Sequence, residues 1–314
     1  MTSSALAALA VPELSESSRD GLEPILRVVV DRVDSPRSKA VYGKALEHFI
    51  AWYRREGHDR LDRAAVQAYR TSLVDAHLAP STINQRLVAV RALAQEAADN
   101  GLLDPALASG IARLRGVKTA GVRLGNWLPQ ADAQRLLEAP DGTTAKGVRD
   151  RAILAVLLGC GLRRSEVAAL EVHHVQQRDG RWVIVDLVGK GRRTRSVPMP
   201  SWAKAALDAW LDSAGIAEGR VFRSLRRGGR LDGAGMTDQA VADVVRAYTA
   251  QVGVPVAAHD LRRTFAKLAM KGGARLEQIQ LSLGHASITT TERYLGIEQD
   301  LTDAPCDRLG LRLQ

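Results

Sequence analysis

Cysteine is close to absent: the 314 residues hold two, Cys160 and Cys306. One pair cannot build the multi-bridge framework of a small secreted protein, so a reducing cytoplasm is the expected location. Long hydrophobic runs are missing as well. The longest, Ala152 to Leu162, is 11 residues, whereas a bilayer needs about 20, so no membrane partner is expected. Residues Ala5 to Val11 are apolar, but the first basic residue is Arg19, which removes the charged start of a secretory signal. The sequence also has no Asp/Glu cluster at metal-ligand spacing, no Cys/His zinc pattern and no GxxxxGKS/T loop. Neither a metal, nor ATP, nor another cofactor is expected.

What is present is an ordinary globular balance of 46% hydrophobic and 25% charged residues. That excludes wholesale disorder, and at this length it favours two domains. Lys and Arg number 44 against 35 Asp and Glu, a net charge of +9. Residues 1–120 supply +2 of it and the remainder +7. A polyanion such as double-stranded DNA suits that field, because each neutralised phosphate releases condensed counterions. A plain solubility charge would give the same count.

Residues 1–20, rich in Ala and Ser, are expected to be a flexible N-terminus, and 21–118 an all-helical domain. Ser35-Pro36 opens one helix there, Asp62 to His77 forms another, and a third follows Pro80 with Thr82 and Gln85 spaced as a capping box. Residues 119–127 read as a linker, lying in a stretch with Gly116, Gly121 and Gly125 and no periodicity. Residues 128–314 form the second domain. Arg181 to Val188 is its clearest strand, and with Thr194 to Val197 it predicts a β-hairpin; the rest is mainly helical. Trp182, Trp202 and Trp210 read as core, and His173-His174 as structural.

Five short constellations lie in order along this second domain. Arg163, with Glu166 three residues later, leaves an apolar helix at a place unusual for charge, where a five-donor fork suits a phosphate. Lys190 sits between glycines at the hairpin tip, positioned to enter a groove or donate a proton. His259 and Arg262 share a helix face, which turns Arg263 toward solvent. Gly284 ends a helix and presents His285. Tyr294 follows nine residues later; as a nucleophile it needs cations to favour phenolate. Arg192, Arg193, Arg195, Arg226 and Arg227 add charge suited to DNA backbone contacts.

These residues, GLRRSE at 161–166, GKG at 189–191, HDLRRTF at 259–265 and LGHASITTTERYL at 283–295, resemble the tyrosine recombinase (phage-integrase-like, Xer-type) family. The resemblance implies a mainly α fold: an N-terminal all-α core-binding (SAM-like) domain, then a mixed α+β catalytic domain with a small antiparallel sheet. It implies that Arg163, Arg262, His259 and His285 activate a scissile phosphate, with Glu166 in support. Lys190 is then the general acid and Tyr294 the nucleophile, giving a 3′-phosphotyrosyl intermediate and a Holliday junction. It further implies a homotetramer on two paired DNA sites with exchange of the C-terminal tail, 295–314, and leaves room for accessory recombination proteins. Competing readings are type IB topoisomerase-like relaxation of DNA and a DNA-binding regulator that does not cut.

Overall fold

Among the described residues, proline opens three of the five helices in the first part of the chain. In this computed structural model, which describes residues 23–58, 60–118, 126–188 and 194–296, the chain divides into two compact units, Met1–Val122 and Arg123–Gln314. The expected flexible N-terminus at 1–20, most of the linker and the tail beyond Gly296 lie outside the described residues. In the first unit α1 (Glu23–Asp31) precedes α2 (Pro36–Arg55), α3 (Arg63–Asp75), α4 (Pro80–Asp99) and α5 (Pro105–Ala112). Pro36, Pro80 and Pro105 take first-turn positions where a missing N–H costs nothing. Asp62 caps α3 by accepting from the Ala65 N–H. The capping box expected at Thr82 is not formed. Pro80 starts α4 with Ala79 as its cap, which places Thr82 inside the first turn rather than before it.

Ile83, Leu87, Val90, Leu93 and Ala97 make the buried stripe of α4. Against it pack Phe49, Trp52 and Tyr53 of α2 and Tyr69 of α3, with Phe49 and Tyr69 edge to face at 5.0 Å. The Tyr69 hydroxyl meets His48 Nδ1 at 2.9 Å, and burial pushes its pKa up to about 12.

The second unit is built around α7 (Ala145–Cys160), which follows α6 (Gln130–Glu138). Its residues Ala152 to Leu158 are buried all round, as an apolar helix with no polar face must be. The short α8 (Arg164–Ala169) comes next, and then a three-stranded antiparallel sheet in the order β1 (Val175–Arg178), β2 (Arg181–Val188), β3 (Thr194–Pro198). The β2–β3 pair is the expected hairpin; β1, reading VQQR, was too short and polar to signal a strand. One extra β2 residue between Ile184 and Leu187 makes a bulge at which Asp186 takes φ 54°.

Helix α9 (Ser201–Ala214) packs on α7, followed by the small β4–β5 hairpin (Ser224–Leu225, Leu231–Asp232) and helices α10 (Asp238–Gln251) and α11 (Ala258–Lys271). Trp210 is buried and donates to the Val221 carbonyl, as a core residue should. Trp182 is half-buried beneath Lys204, whereas Trp202 is 47% exposed and not core. Asn126 and Trp127 belong to this unit: Asn126 donates to the Pro255 carbonyl and Lys271 lies over the Trp127 ring.

Helices α12 (Leu276–Leu283) and α13 (Ile288–Leu295) close the described chain. They share with α11 a small second core of Ala266, Ile279, Leu283 and Leu295, distinct from the main one around α7. Among the described residues no helix is long and apolar enough to cross a membrane.

Candidate active site

Gly161 ends α7 in the left-handed region, φ +59°. A Cβ there would also lie 2.5 Å from the Phe265 ring, so only glycine fits. The chain leaves this turn extended, and Arg163 becomes the residue before α8. Its backbone N–H donates to Glu166 Oε2 at 2.8 Å and its Nη1 to Oε1 at 2.7 Å. Glu166 thus holds both the start of the helix and the guanidinium, which keeps 30% of its side chain exposed.

Arg262, on α11, is 1% exposed. It donates to the Gly161 carbonyl at 2.7 Å and to the Leu283 carbonyl, and stands 3.9 Å from Glu166. Burial, and then the Arg163 charge, bring its pKa down to about 10. The Glu166 carboxyl moves the other way. Burial alone would raise it, but hydrogen bonds from Arg195 and Arg163 outweigh burial and hold it at about 2.

Gly284 ends α12 at φ +62° and turns the chain so that His285 enters the same site. His285 Nδ1 lies 3.0 Å from the hydroxyl of Thr291, which is fully buried in α13. Desolvation, followed by the charges of Arg262, Arg163 and Arg195, lowers His285 to about 4. His259 keeps an edge open to solvent; partial desolvation and then Arg262 and Arg263 hold it below its ordinary value.

Tyr294 receives both imidazoles edge-on, His259 at 5.7 Å and His285 at 5.3 Å between ring centres. Its hydroxyl donates to the His259 carbonyl at a long 3.4 Å. Burial raises the phenol, and Arg262 and Arg263 oppose that rise. Arg163, Glu166, His259, Arg262, His285 and Tyr294 are therefore brought together. Lys190, Arg192 and Arg193 lie outside the described residues.

Two sequence expectations are corrected. Arg195 does not face outward toward a DNA backbone; its side chain is 9% exposed and its guanidinium closes on Glu166. Arg263 does not point to solvent but lies over the Tyr294 ring, 4.7 Å from its centre. Arg226 and Arg227 are exposed in the β4–β5 turn, with Arg226 paired to Asp232 at 2.9 Å. The Thr291 contact was missed, although its place three residues before Tyr294 puts it on the same face of α13.

The titration shifts carry an expected result for stability. His285 and Glu166 both bind protons more weakly in the folded chain than at their ordinary values of 6.5 and 4.5. Their contribution is complete above those values and is lost as pH falls toward about 4 and about 2. Melting temperature is expected to drop as pH is lowered through this range, and His285→Gln to flatten the upper part of the decline. A calorimetric pH series on both proteins checks it; equal slopes would contradict it.

Comparison with known proteins agrees with this geometry. The phage integrase family matches residues 126–300, and the phage integrase N-terminal SAM-like domain matches residues 27–101. Tyrosine recombinase XerC of Xanthomonas campestris pv. campestris is 31% identical over 90% of this chain and 86% of its own length. Tyrosine recombinase XerD of Pseudomonas aeruginosa is 30% identical over 83% of this chain and 86% of its own. Among solved structures, a lambda integrase (75–356) dimer bound to a COC′ core site has a TM-score of 0.69 at 17% identity, covering 89% of this chain and 96% of that one. That last likeness speaks for the fold alone. With a family match over more than half its length and relatives identical at three positions in ten across most of it, the chain belongs to the phage integrase family, the tyrosine recombinases.

Proposed function

We propose that this tyrosine recombinase cuts and rejoins duplex DNA at specific sites with Tyr294 as its nucleophile. The supporting observation is the convergence on one phenol of two imidazoles, with two guanidiniums steadied by a single carboxylate beside them. A phosphodiester under attack gains charge on its non-bridging oxygens, and donors already in place stabilise it without reorganising. Tyr294 Oη forms its bond to phosphorus as the bond to the 5′ oxygen breaks, and the phenol proton passes to a neutral imidazole beside it. Lys190 supplies the proton to the leaving oxygen; this role rests on the resemblance of its motif. The 3′-phosphotyrosyl ester conserves the energy of the broken bond, and a 5′-hydroxyl from another strand reverses the step. Two such exchanges pass through a Holliday junction.

In this reading residues 21–118 are the core-binding domain, 119–127 the linker and 128–314 the catalytic domain. Arg192, Arg193, Arg226 and Arg227 contact the DNA backbone. Four protomers assemble on two sites, each passing its tail, 295–314, to a neighbour, a head-to-tail contact that closes a ring. The protein works in the cytoplasm, where its DNA is, with accessory recombination proteins setting direction where they are needed.

The test begins with a library of randomised duplexes, from which protein–DNA adducts that survive SDS are recovered and sequenced. A recovered duplex, nicked beside the cleaved phosphate, loses its free 5′-hydroxyl fragment and traps the covalent complex. Accumulation of a phosphotyrosine-linked adduct is expected. Strand cleavage without one, or no cleavage at all, overturns the reading.

A further inference from the structure

Arg195 is the side chain whose position departs furthest from its sequence expectation. Along β3 the side chains alternate, so Arg195 shares its face with the buried Val197 and points inward. All three guanidinium nitrogens are used inside the protein. Nη1 donates to Glu166 Oε1 and Nη2 to Oε2, both at 2.8 Å, and Nε donates to the Ser282 carbonyl at 2.9 Å. The stem of the side chain lies against Gly284, where a Cβ would come within 2.8 Å of Arg195 Cδ. One residue therefore touches the carboxylate that orients Arg163 and also the turn that presents His285.

We propose that Arg195 is a positioning residue for strand cleavage, holding Glu166 toward Arg163 and bracing the Leu283–Gly284–His285 turn without contacting DNA. The inference rests on the site assignment made under Proposed function. A carboxylate offers about four acceptor directions. Arg163 takes two of them, through its backbone N–H and Nη1, and Arg195 takes the other two. Without Arg195, Glu166 has two open directions and a further cation, Arg262, at 3.9 Å. The carboxylate then turns toward Arg262 and masks donors intended for the phosphate. A lysine cannot replace the fork, because one ammonium cannot hold both carboxylate oxygens and the Ser282 carbonyl in a plane.

The test uses the full chain and the nicked duplex recovered by adduct selection, with Arg195→Gln, Arg195→Lys, Glu166→Gln and the Arg195→Gln/Glu166→Gln double variant. Arg195→Gln is expected to slow single-turnover cleavage at saturating DNA by about 10–100-fold. Its DNA affinity and salt dependence stay those of the wild type. Arg195→Lys keeps the buried charge and recovers part of the loss; it carries the test if the glutamine variant does not fold by circular dichroism. The double variant falls no further than the slower single one, because both act through one carboxylate.

The opposite pattern overturns the proposal. A direct phosphate contact would weaken binding, cut the salt slope by about 1 and leave cleavage unchanged at saturation. Losses that multiply in the double variant would show Arg195 acting apart from Glu166. If the wild type forms no adduct, the site assignment fails and this inference fails with it.

Discussion

Tyr294→Phe is expected to bind DNA as the wild type does and to form no covalent adduct, with cleavage falling on the order of 10⁴–10⁶-fold. The size follows from what is removed. Phenylalanine keeps the ring that His259, His285 and Arg263 pack around, so the site stays assembled. It deletes only the oxygen, whose hydrogen bond to the His259 carbonyl is long, at 3.4 Å. Stability is therefore expected to change by no more than about 1 kcal/mol. Denaturing gels on the nicked duplex read the adduct, and gel shift reads binding. An adduct formed by the phenylalanine protein would assign the nucleophile elsewhere.

Arg262→Ala is expected to lower both rate and stability, because Arg262 has two tasks. One is electrostatic: loss of a preorganised donor at the phosphate costs about 10²–10³ in rate. The other is mechanical. Its guanidinium joins the Gly161 carbonyl, at the turn before Arg163, to the Leu283 carbonyl, at the turn before His285. Alanine leaves both carbonyls short of a partner in a buried place, a cost of about 1–3 kcal/mol for each. Slower cleavage and a lower urea midpoint are expected together. Arg262→Lys restores charge but reaches only one of the two carbonyls, so it should regain stability in part and rate hardly at all. A folded, fully stable alanine variant would remove the mechanical task.

Much of this arrangement was legible in the chain. The order of Arg163, His259, Arg262, His285 and Tyr294 and the turn glycines between them pointed to one shared site, because local rules place each one: Gly161 and Gly284 end helices, and His259 with Arg262 sit one turn apart. What escaped was decided by tertiary contact. Arg263 has no local reason to stack on a ring 31 positions away. Trp202 looks like core by composition, yet sits at the start of α9 with its ring laid over Gly159 at the surface and half exposed. Arg195 is the instructive case. The alternation of Thr194, Arg195, Ser196 and Val197 puts the arginine on the inner face, but its positive charge pulled the reading outward. Strand β1 was lost because VQQR has no apolar residue after its first, and its pairing with β2 supplies the order that the composition does not.

The small core of Ala266, Ile279, Leu283 and Leu295 is set apart from the main one, and Tyr294 and His259 ride on the helices around it. Among the described residues it has four buried apolar side chains against thirty in the core around α7, so it is expected to open more readily. The blade of this enzyme is thus sheathed separately from its handle. Arg195 and Arg262 are the two rivets across that joint, and loosening Arg195 alone would disarm the protein without making it let go.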